Sequence, residues 1–501
     1  MNNTKDLIAK AKKSYDSKNF FEAKSYLLLA LEDKEIDIVS QLKFYTLISD
    51  ISYKINDFKN AEKYLQKYIE IDNQNPSIFN MLGNTYLRRR DYENSEKSYL
   101  KSIDLDKDYE TALINLAILY DNLGEKKKAV SLYKEVLNKN KKNIGVLYNL
   151  SNLDQSTIDQ KTIDILKKFV KEKTLNNFDI ASCYFMLAKN EKKNQNFKNE
   201  INFLDKANEH SFKENLVKNK QANKYWFDVM PVVFNKIYYA KEKTNLIDTN
   251  LVHPIFIIGL PRCGSTLIES IISSGKNKVE SLGETNLVNW AFLNTNKDYL
   301  KRQNIDKENK IIIDFEKTSK KLVDAITNLN VKSHEKCFFS EKSLENFLYI
   351  ELILKIYPNA RFINPYRNLI DNIFAIYKQF LSNVSWSHSL ENILLYIDNY
   401  LLIIDFFKKR YSEKIFSISL EEFTANPKKS SMSIFEFCKL EWDEKCLDFH
   451  KRKDLFTNTA SSNQIRSSVQ KYDNEKYNSY KFLLEPYLQK YNWLDLNLKK
   501  I

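Results

Sequence analysis

The residues best suited to chemistry lie between positions 253 and 284, which hold four of the chain's seven glycines. An apolar run at 255–258 leads directly into the loop Gly259-Leu260-Pro261-Arg262-Cys263-Gly264-Ser265-Thr266. Glycine is the residue that turns tightly or approaches a ligand closely without steric cost. A strand, a glycine loop and a helix in this order direct free backbone N–H groups at an anion. The pattern predicts a phosphate cradle with Arg262 as its fixed positive charge.

The loop also fits part of a nucleotide-binding pattern. Its two glycines have the G-x-x-x-x-G spacing, but Ser265 stands where the Walker pattern has lysine. That lysine contacts the β- and γ-phosphates in ATP-dependent enzymes. A P-loop phosphotransferase therefore remains an alternative that lacks a principal residue. A plain glycine turn before a core helix is the structural alternative.

The segments that follow favour one family. Pro261-Arg262-x-Gly264-Ser265-Thr266-Leu267 resembles the 5′-phosphosulfate loop of sulfotransferases. Further resembling segments follow in the family's order, at 282–285, 341–347, 357–363, 442–450 and 459–466. Together with the repeats described below, the chain resembles bacterial tetratricopeptide-repeat sulfotransferases, which are related to tyrosylprotein sulfotransferases. The resemblance implies 3′-phosphoadenosine 5′-phosphosulfate as the sulfonate donor.

The resemblance also assigns catalytic roles. Glu284 would be the base that accepts the acceptor's proton, a role that partial desolvation of a carboxylate favours. Arg262 and Lys342 would neutralise the negative charge that grows on the departing phosphate, and Ser461 would donate a hydrogen bond to it. The donor-binding loop residues implied are Pro261, Arg262, Cys263, Gly264, Ser265, Thr266 and Leu267.

The 3′-phosphate site departs from the family pattern. Arg367 matches the family arginine that holds this phosphate, but Ala375 stands where a serine is expected eight residues later. A missing hydrogen bond to a charged group costs about 1.5–3 kcal/mol of donor affinity. Ser382 and Lys378 are two nearby residues that could compensate, and the sequence does not choose between them. Lys476 is a further candidate phosphate ligand.

The N-terminal third of the chain is repetitive. Similar segments at 57–61, 91–95 and 125–129 recur at 34-residue intervals. A 34-residue period of paired helices resembles the tetratricopeptide repeat, in which small residues let two helices approach closely. We expect four or five helical hairpins. They form a scaffold, and their concave face could recruit a peptide or protein acceptor.

The whole pattern predicts an α solenoid of tetratricopeptide-like hairpins followed by a three-layer α/β, P-loop-like sulfotransferase domain with a parallel sheet. The predicted division is residues 1–212 for the repeats, 213–251 for a connecting helix and 252–495 for the sulfotransferase domain. The predicted parallel strands lie at 255–258, 337–339, 361–364 and 415–418.

Composition narrows the function classes. The chain has 501 residues, with 78 basic against 65 acidic side chains and a net charge of +13. These basic residues are dispersed, which favours an anionic small ligand over a nucleic acid. Five cysteines without CxxC spacing and five isolated histidines predict neither disulfides nor a metal site. The absence of a signal-like start or a long apolar run predicts a cytoplasmic protein without membrane contact.

The family resemblance implies a sulfotransferase that moves the sulfuryl group from 3′-phosphoadenosine 5′-phosphosulfate to a hydroxyl, with protein tyrosine and carbohydrate as possible acceptor classes. One alternative is a non-catalytic tetratricopeptide interaction protein with a degenerate donor site, which Ala375 favours. The other is the P-loop phosphotransferase.

Overall fold

The structure is a computed structural model, and it describes residues 2–172, 175–235, 237–238, 251–300, 311–329, 337–452, 454–457, 459, 464–473 and 476–499. Its contacts divide the chain into two compact units. The first comprises residues 1–140 and 323–331, and the second comprises 141–322 and 332–501.

The first unit is built from antiparallel helix pairs. Its helices are α1 Asn2–Asp16, α2 Phe20–Ala30, α3 Ile38–Lys54, α4 Phe58–Ile71, α5 Pro76–Arg88, α6 Tyr92–Leu105, α7 Glu110–Leu123 and α8 Lys126–Lys139. Consecutive helices pair as hairpins, as the 34-residue period predicts.

The period has a local physical cause in the hairpin turns. Asn56, Arg90 and Gly124 stand 34 residues apart and all have left-handed backbones, with φ of 60°, 65° and 81°. A left-handed residue after the last helical turn satisfies carbonyls that would otherwise lack partners. Asp57 and Asp91 then cap the following helix by accepting the backbone N–H three residues ahead.

One repeat shows why a small residue stands at the helix crossing. Gly83 on α5 faces the fully buried ring of Tyr99 on α6. A Cβ at position 83 would lie 2.5 Å from that ring, closer than packed atoms approach. The Tyr99 hydroxyl donates to Asn84 Oδ1 at 2.7 Å, which fixes the ring over the glycine.

The second unit joins further helices to a sheet. Its helices and strands are α9 Ile144–Leu153, α10 Gln160–Phe169, α11 Asn177–Lys193, α12 Phe197–Glu214, α13 Leu216–Lys224, α14 Met230–Val233, β1 Ile237–Tyr238, β2 Val252–Ile257, α15 Ser265–Ile272, β3 Val279–Ser281, α16 Leu287–Leu300, β4 Ile311–Ile312, α17 Phe315–Thr327 (whose last residues group with the first unit), β5 Cys337–Glu341, α18 Ile350–Ile356, β6 Arg361–Tyr366, α19 Leu369–Tyr377, α20 Leu390–Arg410, β7 Ile415–Ser419, α21 Leu420–Ala425, α22 Pro427–Cys438 and α23 Asn492–Lys499.

The main sheet is parallel, with strand order β3-β5-β2-β6-β7. The four strands predicted from sequence are confirmed, and β3 was not predicted because only three residues form it. Strand β2 is central, and its Ile255 and Ile257 pack with Ile268 and Ile271 of α15. The carboxyl ends of β2 and β5 are neighbours, which is where parallel sheets bind ligands.

The sequence-based boundaries at 212 and 251 remain predictions. The contacts group α9 to α12 with the sheet rather than with the first unit. In the predicted connecting region, α13 leads into a π-helical turn, Tyr225–Val229, and then into α14. Residues 239–250 lie outside the described part of the chain.

We expect Gly83→Ala to destabilise the repeats. The new methyl group forces the buried Tyr99 ring to shift, and such overpacking costs about 1–3 kcal/mol, which outweighs the roughly 1 kcal/mol gained by removing a helical glycine. Urea unfolding followed by circular dichroism measures the change. Gly145→Ala is the matched control, because the nearest atom to its new Cβ lies at 3.8 Å. Equal stability of the two variants would contradict the packing.

Candidate functional site

The glycine loop joins β2 to α15 and adopts three left-handed or positive-φ conformations. Gly259 has φ of 140°, Arg262 of 67° and Gly264 of 93°. The value at Arg262 is uncommon for a residue with a side chain, and such conformations cluster at binding sites. A Cβ at Gly264 would lie 2.8 Å from Leu420, so a larger residue does not fit there.

Neighbouring elements hold the loop backbone in place. Asn372 Nδ2 of α19 donates to the Pro261 carbonyl at 2.6 Å, and Arg367 Nη1 donates to the Arg262 carbonyl at 3.3 Å. The Gly259 N–H donates to the Leu344 carbonyl at 3.0 Å. With the carbonyls of Pro261 and Arg262 occupied, the loop presents the N–H groups at the start of α15 as donors to an anion.

The centre of the site is an ammonium group without solvent access. Lys342 follows β5, and its side chain is fully buried. Its Nζ lies 2.7 Å from Glu284 Oε1 and 3.8 Å from Glu269 Oε2. Burial opposes the charge on Lys342, but the charges of Glu284 and Glu269 outweigh it and raise the pKa of Lys342. Half of the Glu284 side chain, 49%, remains exposed to solvent.

A second buried carboxyl, Glu341, fixes the segments that carry Glu284 and Lys342. It accepts from the Thr285 hydroxyl at 2.7 Å and from the Ser343 N–H at 3.0 Å. It also accepts from the Ser343 hydroxyl and from Asn346 Nδ2. Burial raises the pKa of Glu341. Glu341 lies in the segment 341–347, and the family resemblance assigns it no role.

Two cavities meet at the loop, and Arg262 and Thr266 line both. The first cavity has a volume of about 300 Å³ and includes Glu284 together with several aromatic side chains. The second has a volume of about 330 Å³ and includes Arg367, Lys476 and the segment 467–473. The arrangement offers a neutral-to-acidic compartment on one side of Arg262 and a cationic one on the other.

The structure brings most of the predicted site residues together. The first cavity contains Pro261, Arg262, Ser265, Thr266 and Glu284, and the second contains Arg262, Gly264, Thr266, Leu267, Arg367 and Lys476. Lys342 lies behind Glu284 rather than in a cavity wall. Cys263 is buried away from both cavities, and burial raises the pKa of its thiol to about 11. Its side chain therefore packs, and only its backbone can serve an anion.

Ser461 lies outside the described residues. Thr459 from the same segment is described: its hydroxyl lies 3.2 Å from that of Thr266, and it lines the first cavity. The segment that carries Ser461 therefore reaches the glycine loop at Thr459.

Arg367 has a partner that the sequence did not reveal. Tyr472 Oη accepts from Arg367 Nε at 2.8 Å and from Nη2 at 2.5 Å, and it donates to Asp371. The Arg367 guanidinium also lies over the Tyr472 ring, 4.8 Å from its centroid. These residues are 105 positions apart, so no local sequence signal links them.

Lys378, one of the two residues considered as a replacement for the missing serine, is committed elsewhere. Its Nζ lies 2.6 Å from Glu200 Oε1 and donates to the Tyr480 hydroxyl. Burial lowers the pKa of Lys378 to about 8, despite the opposing charge of Glu200. Lys378 does not line the second cavity.

Within the described ranges, no cluster of three or more histidine, cysteine, aspartate or glutamate side chains could hold a metal ion. A separate search of those ranges finds no helix that is both long and apolar enough to cross a membrane.

Comparisons with known proteins identify two kinds of family segment in the chain. Residues 254–444 match the sulfotransferase family, and residues 42–75, 76–109 and 112–143 match tetratricopeptide repeats. The chain thus combines tetratricopeptide repeats with a sulfotransferase-family domain, as the sequence motifs predict.

Individual relatives are distant. An uncharacterized protein of Aquifex aeolicus (strain VF5) is 22% identical over 473 residues, which cover 90% of this chain and 59% of the relative's length. The sulfotransferase domain of the Synechococcus PCC 7002 olefin synthase is 15% identical, with a TM-score of 0.33 over 48% of this chain and 91% of that domain. The pilF protein of Pseudomonas aeruginosa is 15% identical, with a TM-score of 0.32 over 40% of this chain and 89% of its own.

We expect Lys342→Met to destabilise the second unit strongly. The variant leaves Glu269 buried without a counter-charge, a loss of about 3–5 kcal/mol for a fully buried pair and less here because Glu284 is half exposed. Thermal unfolding measures the change. Lys278→Met is the control, since Lys278 and its partner Glu280 are largely exposed and such pairs contribute about 0–1 kcal/mol. Equal Tm values for the two variants would contradict the assigned role of Lys342.

Proposed function

We propose that the protein transfers a sulfuryl group from 3′-phosphoadenosine 5′-phosphosulfate to a hydroxyl acceptor. One observation carries the proposal: Arg262 stands in the wall shared by two cavities, with Glu284 in one and with Arg367 and Lys476 in the other. An acceptor and a nucleotide bound on opposite sides of the loop would meet in line at Arg262, and such positioning lowers the barrier to transfer.

The second cavity suits an anionic nucleotide. Burial lowers the pKa of Lys476, and the neighbouring charges of Lys192, Arg367 and Arg262 lower it further. A cluster of cations that repel one another is stabilised by a bound polyanion. We assign the 3′-phosphate to Arg367 and Lys476, and the 5′-phosphosulfate to the loop residues at the start of α15.

The first cavity supplies the base. Glu284 Oε accepts the proton of the acceptor hydroxyl while that oxygen forms its bond to sulfur. The bond between sulfur and the 5′-phosphate oxygen breaks, which gives a sulfate ester and adenosine 3′,5′-bisphosphate. Arg262 stabilises the negative charge on the departing phosphate, and Lys342 holds the Glu284 carboxylate at the cavity wall. Ser461 keeps its proposed role as a donor to the leaving group.

The two alternatives are less well supported. A phosphotransferase would need a lysine at the end of the glycine loop, where Ser265 stands. A purely scaffolding protein would not need Glu284, Lys342 and Arg262 around one loop. We propose that the repeats recruit the acceptor or a partner protein rather than replace the chemistry.

The role of Glu284 is tested with the Glu284→Gln variant, and Glu280→Gln on β3 is the control. Removing the base should lower transfer of labelled sulfonate to a panel of phenols, sugars and a tyrosine peptide by about 100-fold or more. Adenosine 3′,5′-bisphosphate should bind the variant as it binds the unchanged protein, because Glu284 lines the other cavity. Full transfer activity in Glu284→Gln would remove Glu284 as the base.

A further inference from the structure

The first cavity contains a second carboxyl that the proposed chemistry does not use. Glu345 lies three residues after Lys342, at the start of a short 3-10 helix, and lines the same cavity as Glu284. Burial raises the pKa of Glu345 to about 7, and the charges of Glu341 and Glu284 act in the same direction. A hydrogen bond with the Asn286 side chain acts in the opposite direction.

Three aromatic side chains, Trp226, Trp386 and Tyr396, also line this cavity. Trp386 and Tyr396 stack with their centroids 3.8 Å apart and their planes within 9°, and Trp226 meets Tyr396 edge-on at 6.1 Å. Burial raises the pKa of Tyr396, and the charge of Glu345, which lines the same cavity, raises it further. Leu344, Leu381 and Val384 add apolar side chains to the wall.

A carboxylate beside electron-rich aromatic faces recognises an organic cation. Indole and phenol faces attract ammonium groups, and an ammonium also pairs with a carboxylate in the same wall. An acidic acceptor would instead meet the carboxylates of Glu284 and Glu345 in the wall that also holds Arg262. A cavity of about 300 Å³ lies at the lower end of the range for small-molecule sites.

We propose that the acceptor is a small hydroxyl compound with an aromatic or apolar body and a protonated amine, such as a phenolic amine. This inference rests on the proposed function, since it names the acceptor for the same site. Glu345 binds the ammonium group, the rings hold the body, and the hydroxyl reaches Glu284.

The test uses ligands that lack a hydroxyl, so it does not require transfer. Calorimetry should show phenethylamine binding about tenfold or more tighter than 3-phenylpropionate, both with and without saturating adenosine 3′,5′-bisphosphate. Glu345→Gln should remove this preference. Glu351→Gln, whose residue pairs with Arg410, is the control and should keep it.

Each outcome is decisive. Equal binding of the two ligands by the unchanged protein, or a preference that survives Glu345→Gln, overturns the acceptor assignment. If Glu345→Gln does not fold, the preference of the wild-type protein for phenethylamine over 3-phenylpropionate still tests the acceptor assignment. Failure of the proposed function would give a different result. The protein would still prefer phenethylamine over 3-phenylpropionate, but it would transfer sulfonate to no acceptor, including tyramine.

A second inference comes from the other cavity, through Tyr472. Asp371 and Ala375 are four residues apart on α19 and share one of its faces, and Arg367 lies just before the helix begins. The Tyr472 hydroxyl accepts from Arg367 and donates to Asp371. We infer that Tyr472 supplies, to a phosphate held by Arg367, the hydroxyl that Ala375 lacks. Its proton would turn from Asp371 to a phosphate oxygen.

The test compares two nucleotides that differ only in the 3′-phosphate. Tyr472→Phe should lower the affinity for adenosine 3′,5′-bisphosphate by about tenfold or more, with little change for adenosine 5′-phosphate. Adding Ala375→Ser to this variant should restore part of the loss. Tyr487→Phe, outside the cavity, should change neither affinity.

Equal losses for both nucleotides, or no loss, would overturn the role of Tyr472. This inference also rests on the proposed donor. If the unchanged protein does not prefer the bisphosphate over the monophosphate, the donor assignment itself fails.

Discussion

The buried ammonium of Lys342 is the interaction on which the rest of the site depends. A charge without solvent is stable only with close counter-charges, and Glu284 and Glu269 provide them from two different segments. The backbone strengthens the same junction, since the Lys342 N–H donates to the Gly283 carbonyl and the Gly283 N–H donates to Glu269. Strand β5, helix α15 and the segment before Glu284 are thereby fixed to one another.

This constraint explains why the site sits where it does. Parallel strands end at the same edge of a sheet, so the loop after β2 and Lys342 after β5 meet without further folding devices. Glycine is then needed where backbone or side chains come close. At Gly275, for example, a Cβ would lie 2.3 Å from the Phe435 ring. The low glycine content of the chain elsewhere made these positions conspicuous.

The sequence predicted those elements whose conformation is determined by neighbouring residues, namely the longer strands and the helical hairpins. Apolar runs marked the four longer strands, and the 34-residue period marked the hairpins, because turn geometry and caps recur with it. Strand β3 was not predicted, because three residues are too few to show a clear alternation of apolar and polar side chains. The pairing of Tyr472 with Arg367 and of Lys378 with Glu200 could not be predicted, since each joins residues more than 100 positions apart.

The aromatic residues of the first cavity were predicted only in part: their helical conformation was expected, but their place in the cavity wall was not. The sequence predicted a connecting helix over 213–251, and the structure places Tyr225, Trp226 and Phe227 of this region in a π-helical turn from which Trp226 reaches the cavity. The sequence pattern thus indicated a helical conformation for these residues. It could not predict their role, because the spacing that buries an aromatic residue in a core also presents one to a ligand.

The central claim is that the cationic cavity beside the glycine loop holds a nucleotide with a 3′-phosphate. The most direct measurement is calorimetric titration of the unchanged protein with adenosine 3′,5′-bisphosphate, with ATP as the comparison. Our account predicts micromolar binding of the bisphosphate and much weaker binding of ATP, which has no 3′-phosphate for Arg367 and Lys476. Binding of neither nucleotide, or a preference for ATP, would contradict it.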